Sequence, residues 1–157
     1  MDTIQVNNPY DLSLIEEIPL MNGKGVENAL KTARQTFDNR SAWLPAHERI
    51  AILEKTASLM SQRIESLAQL ACSEGGKPFQ DSIVEVHRAI HGVKLAAEHI
   101  SQLSGEQIPM DQTPATAGRL AFTQREPIGV VVSISAFNHP LNLIIHQTVP
   151  ALSLIHI

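Results

Sequence analysis

Arg125-Glu126-Pro127-Ile128-Gly129-Val130-Val131-Val132-Ser133-Ile134-Ser135-Ala136-Phe137-Asn138-His139-Pro140-Leu141 changes character twice within seventeen residues. Ile128 to Ile134 is a nearly continuous β-branched, apolar run, which suits a strand buried on both faces of a parallel sheet. Ser135 to Pro140 then reads as a tight loop, and Pro140 fits the first turn of a helix starting near Leu141. A buried strand running through a short loop into a helix is the opening of a Rossmann-like βαβ unit, so the expected fold class is α/β. Asn138 stands at the junction. An amide there can cap the helix. It can equally donate to an oxyanion in the crevice at the strands' carboxyl ends, and position leaves both roles open.

Upstream of this stretch the chain is mostly helical in pattern. Residues 1–20 suggest extended segments around turns, with a turn cluster at Asn7-Asn8-Pro9-Tyr10-Asp11 and a short strand over Ile15 to Leu20. Val26, Ala29, Leu30, Ala33 and Phe37 fall on one helical face. After Trp43-Leu44-Pro45 a second helix carries Ile50, Leu53, Ala57, Met60, Ile64, Leu67 and Ala71, ending at Gly75-Gly76-Lys77-Pro78. A third has Ile83, Val86, Ile90, Val93, Ala97 and Ile100 spaced by threes and fours, a stripe fit to pack along another helix or an oligomer partner. Ser104 to Gly118 reads as a loop and Arg119 to Arg125 as a second strand. There are no internal repeats and no low-complexity tract.

Three constellations invite a chemical reading and lose it on inspection. Gly75-Gly76-Lys77 resembles part of a phosphate loop, but Ala71 sits where that loop needs a glycine and Pro78 where it needs Ser or Thr. A turn ending a helix accounts for it. His87 and His91 have the spacing of two imidazoles sharing a metal, yet no third ligand lies nearby, so a solvated polar face is expected and no metal. Cys72 lies late in an amphipathic helix with no neighbour to lower its pKa, and reads as a small core residue.

Composition narrows the class without naming the chemistry. The chain has 157 residues, 43% hydrophobic and 18% charged, which is globular rather than disordered. A net charge of −4 and the absence of any basic run argue against nucleic acid or an anionic membrane as partner. One cysteine excludes an internal disulfide and fits a reducing, cytoplasmic setting. The first residues lack the basic and apolar regions of a signal peptide, and no stretch approaches the roughly 18–20 apolar residues of a membrane span.

The Arg125-Glu126-Pro127-Ile128-Gly129-Val130 stretch followed by Phe137-Asn138-His139-Pro140 resembles the signature of the NAD(P)-dependent aldehyde dehydrogenase superfamily. Asn8-Pro9-Tyr10-Asp11, the Trp43 to Leu53 segment, Glu74-Gly75-Gly76-Lys77-Pro78 and Glu85-Val86-His87-Arg88-Ala89 agree in order and spacing, so the resemblance covers Asn7 to Ala151. It implies an aldehyde-dehydrogenase-like fold: N-terminal helices plus the first strand-loop-helix of a Rossmann-like NAD(P) domain, truncated. It also implies NAD or NADP as cofactor, contacted by Ile134, Ser135, Ala136, Phe137 and Asn138, with Asn138 as the oxyanion donor. A small-molecule aldehyde is the implied substrate and a homo-oligomer the implied full-length state. Phe137 replaces a more frequent Trp and His139 a more frequent Phe, changes that suit small oxygenated or acidic semialdehydes.

In that family a cysteine thiolate attacks the aldehyde, hydride leaves to the dinucleotide, and a glutamate activates water to hydrolyse the thioester. All three partners of Asn138 (the cysteine, the glutamate and the lysine that binds the adenosine ribose) fall downstream of Ala151, so this chain alone is expected to be inactive. Residues 1–151 are therefore expected to be the N-terminal part of the NAD(P)-binding domain. Leu152-Ser153-Leu154-Ile155-His156-Ile157 departs from the family's small residues and glycine. It is the direct translation of a transposon end used in sequencing-library preparation, so residues 152–157 are expected to be a non-native tail. Two alternatives remain: a non-catalytic helical interaction module built on the striped third helix, and a CoA-acylating relative that lacks the water-activating glutamate.

Overall fold

The computed structural model describes residues 2–153. The chain opens with an antiparallel hairpin, β1 (Thr3–Asn7) and β2 (Leu14–Pro19), paired Thr3 to Pro19 and Gln5 to Glu17, with a register shift after Val6. The expected turn cluster joins them: Asn8 Oδ1 accepts from the Tyr10 N–H at 2.9 Å, and the Asn8 carbonyl from the Leu12 N–H at 2.9 Å. Helix α1 (Gly23–Asp38) starts where Asn22 Oδ1 accepts from the Gly25 N–H at 2.9 Å, an amide N-cap. Its apolar face stays largely uncovered, with Val26 and Leu30 exposed. At its far end Trp43 Nε1 donates to the Phe37 carbonyl at 2.9 Å.

The core is helical. Helices α2 (Ala46–Ser61), α3 (Ile64–Gly75) and α4 (Phe79–His99) follow, and α2, α3 and the last helix, α5 (Pro140–Ser153), all pack on α4. The stripe read from the sequence is the one that is buried: Val86, Ala89, Ile90, Val93, Ala97 and Ile100 meet Leu53, Ala57, Ala68, Ile145 and Val149. Where one helix is expected from Ile50 to Cys72, the structure has two, broken at Gln62-Arg63. No Gly or Pro lies there and the apolar spacing runs straight through. The break lets both halves reach α4, an effect of tertiary packing that local propensity does not encode.

Between α4 and α5 a minimal ladder, β3 (Gln107–Ile108) with β4 (Ala121–Phe122), replaces the loop and longer strand expected over 104–125. Gly105 is required there, because a Cβ would lie 1.6 Å from the Thr123 carbonyl oxygen. The larger difference concerns residues 128–134. They carry no regular secondary structure and are exposed apart from Gly129, Ile128 and Ile134 each at 85%. A strand exists only where a neighbour completes its hydrogen bonds, and among the described residues none lies alongside. A parallel partner would have to follow α5. The order of helices, β-branched segment, loop and helix is nevertheless the one expected. Leu152 and Ser153 continue α5, whereas the rest of the expected non-native tail, 154–157, lies outside the described residues. No helix among the described residues is long and apolar enough to cross a membrane.

Candidate functional site

The loop from Ile134 to Asn138 leads directly into α5, and all five residues are exposed, Phe137 at 88%. They are adjacent in sequence. Ser135 Oγ reaches Gln147 Oε1 on α5 at 3.4 Å, the outer limit of a hydrogen bond. The Asn138 side chain has no hydrogen-bond partner among the described residues.

What anchors the start of α5 is a side chain from another helix. Glu85, on the buried face of α4, accepts from the Leu141 and Asn142 N–H groups through Oε1, each at 3.0 Å. The first helical residue, Pro140, has no N–H to satisfy, and the His139 carbonyl accepts the first intrahelical bond, from the Leu143 N–H at 2.9 Å. The free donors of the first turn are thus accounted for without Asn138. Position by itself would have made Asn138 a natural cap; the acceptor is instead a carboxylate 53 residues upstream, as the residue numbers give.

Glu85 is 2% exposed, and a buried carboxylate needs partners. Its other oxygen, Oε2, lies 2.6 Å from Lys77 Nζ, which is also 2.8 Å from His139 Nδ1. The imidazole Nδ1 is 3.4 Å from Glu85 Oε2, so its shorter contact is with the ammonium. Lys77 arrives there because Gly76 ends α3 in the left-handed region, φ 63°, turning the chain back toward α4. Burial pushes the Glu85 carboxyl up, but the Lys77 ammonium and the Asn142 N–H outweigh it and hold the carboxyl below its ordinary value. Lys77, Glu85, His139 and Asn142, with Asp81 and Arg88, line a cleft of about 190 Å³.

The opposite end of α5 is held by a charge of opposite sign. Arg49 of α2, 5% exposed, donates from Nη1 to the Ser153 carbonyl, and burial pushes its guanidinium below the usual arginine range. A carboxylate at the N-terminus and a guanidinium at the C-terminus both match the helix dipole.

The sequence passed over Lys77 and Glu85, the first as part of a turn and the second as one residue of a matching segment. A signal was present. Glu85 lies three residues after Ser82 and four before Ala89, on the face that α4 buries. His87 and His91 are both exposed, and among the described residues no group of three or more His, Cys, Asp or Glu could hold a metal ion. Cys72 is half-buried in α3.

Comparison with known proteins places this geometry in context. The model of the aldehyde dehydrogenase family matches residues 1–154. A lactaldehyde dehydrogenase from Methanocaldococcus jannaschii is 36% identical over 97% of this chain and 31% of its own. Among solved structures, an aldehyde dehydrogenase from Physcomitrella patens in complex with the reaction product succinate superposes with a TM-score of 0.92 at 32% identity, over 98% of this chain and 32% of that one. A glyceraldehyde-3-phosphate dehydrogenase from Methanocaldococcus jannaschii, complexed with NADP, gives 0.87 at 36% identity, over 97% and 32%. The chain therefore spans about a third of the length of the relatives it matches.

Proposed function

The chain belongs to the aldehyde dehydrogenase family, and on that premise we propose that its parent protein oxidises an aldehyde to the carboxylic acid with NAD or NADP. A cysteine thiolate supplied downstream of Ala151 adds to the carbonyl carbon, forming a C–S bond and moving the carbonyl electrons onto oxygen. The Asn138 amide donates to that oxygen as its charge develops, where a fixed donor counts most. A bound dinucleotide would accept the hydride that leaves this carbon as the carbonyl re-forms, which converts the adduct to a thioester. A downstream glutamate then activates the water that hydrolyses the thioester.

One observation carries the role of Asn138: its amide is exposed and unpartnered beside a helix start whose free N–H groups Glu85 already occupies. Ile134 to Phe137 fit a nicotinamide-ribose contact, being four consecutive exposed residues whose Ile134 and Phe137 offer apolar surface to a planar ring. The NADP-bound structural neighbour supports the cofactor class. The substrate is a small oxygenated or acidic aldehyde, in line with Phe137 and His139 and with relatives acting on lactaldehyde or holding succinate. The complete protein works as a cytoplasmic homo-oligomer, and residues 152–157 are a non-native tail.

The test is turnover by the complete parent protein of lactaldehyde, succinate semialdehyde and a long aliphatic aldehyde, with NAD⁺ and NADP⁺ offered separately and each with and without CoA. Reduced cofactor should appear with one of the small aldehydes, together with the free acid. A folded protein that reduces neither cofactor with any of them would refute the proposal. Product released only as a CoA thioester would assign the CoA-acylating chemistry instead.

A further inference from the structure

Glu85 has more partners than a structural ion pair requires. One oxygen takes both free N–H groups of α5's first turn, and the other takes the Lys77 ammonium, which also contacts His139. All three groups it fixes directly or through Lys77, namely His139, Leu141 and Asn142, lie within four residues of Asn138. The helix that follows Asn138 is therefore held at its start by a buried charge from α4, while the loop before it has few contacts of its own.

From this we infer that Glu85, supported by Lys77, is a positioning residue that fixes the direction in which Asn138 presents its amide. The inference rests on the oxyanion reading of Asn138. It adds that the accuracy of the site is set 53 residues upstream, by a side chain that touches neither aldehyde nor cofactor. Truncating Glu85 leaves the Leu141 and Asn142 N–H groups without their acceptor and the Lys77 ammonium with His139 Nδ1 alone. The start of α5 loosens, and the donor of the preceding loop loses its alignment. Misplacement of a reacting group by about 1 Å can cost on the order of a hundredfold in rate.

The experiment uses the complete parent enzyme with Glu85→Ala, Glu85→Gln and, alongside, Asn138→Ala. Three quantities are read: kcat per folded active site, KM, and backbone amide exchange of residues 139–143. Glu85→Ala should lower kcat by about tenfold or more with KM within about twofold, and should speed exchange at Leu141 and Asn142. Glu85→Gln keeps an oxygen that can accept from both N–H groups, so it should recover much of both losses, and it serves if the alanine variant does not fold. Faster exchange with unchanged kcat would reduce Glu85 to a structural cap and overturn the inference. So would unchanged exchange in both variants. If Asn138→Ala is slow while Glu85→Ala is not, only the positioning inference falls. If Asn138→Ala itself keeps full kcat, the oxyanion reading has failed and takes the inference with it.

Discussion

At the scale of the residue, Glu85 and Gly76 carry the most consequence. The Glu85 carboxyl titrates below its ordinary 4.5 in the folded chain. In the unfolded chain it takes up its proton first as the pH falls, so its contribution is complete above about 4.5 and is lost as the pH drops through the folded value. Urea unfolding midpoints measured across the acid range should therefore decline below that point, and the decline should be shallower in Glu85→Gln; an identical slope would mean the pair contributes nothing. Gly76 sits at φ 63°, and a Cβ there would meet Pro9 Cγ at 3.0 Å. Gly76→Ala should cost about 1–2 kcal/mol, seen as a Tm lower by roughly 2–8 °C. Helix-ending at Gly75-Gly76 was legible from two glycines before a proline. The partnership of Lys77 with Glu85 was not, because a carboxylate on a helix reads as solvated unless its face is compared with the apolar stripe.

At the scale of the element, α4 was legible almost completely, since a stripe repeating by threes and fours is a local property of the chain. The division of α2 from α3 was hidden, because nothing at Gln62-Arg63 breaks a helix and only the surface of α4 demands it. Residues 128–134 were misread in one respect. Their composition is that of a buried strand, but burial and pairing depend on neighbours outside the described residues. The segment should accordingly behave differently in the two contexts. Amides of residues 130–134 should exchange almost without protection in this chain and be strongly protected in the complete protein. Equal protection in both would show that the chain pairs this segment by itself.

At the scale of the whole molecule, the segment proposed to contact the dinucleotide, Ile134 to Asn138, is exposed beside a helical core. A dinucleotide crevice needs at least a second parallel strand, and the unpaired apolar segment is an exposed edge open to association. Calorimetric titration of the 157-residue chain with NAD⁺ and NADP⁺ should show no saturable binding, and the chain should self-associate; micromolar binding by a monodisperse sample would contradict this. Long-read sequencing of the source DNA should find different codons after Ala151, and the same six codons followed by a genomic stop would make the tail native. The oxyanion role of Asn138 is read out by the kcat of Asn138→Asp in the complete enzyme. A carboxylate occupies nearly the same volume and could cap a helix as well as the amide can, but it repels a developing oxyanion. An oxyanion donor at this position entails a fall in kcat on the order of 10²–10³ with melting temperature nearly unchanged, and a kcat near that of the parent would show that Asn138 does not donate to the oxyanion.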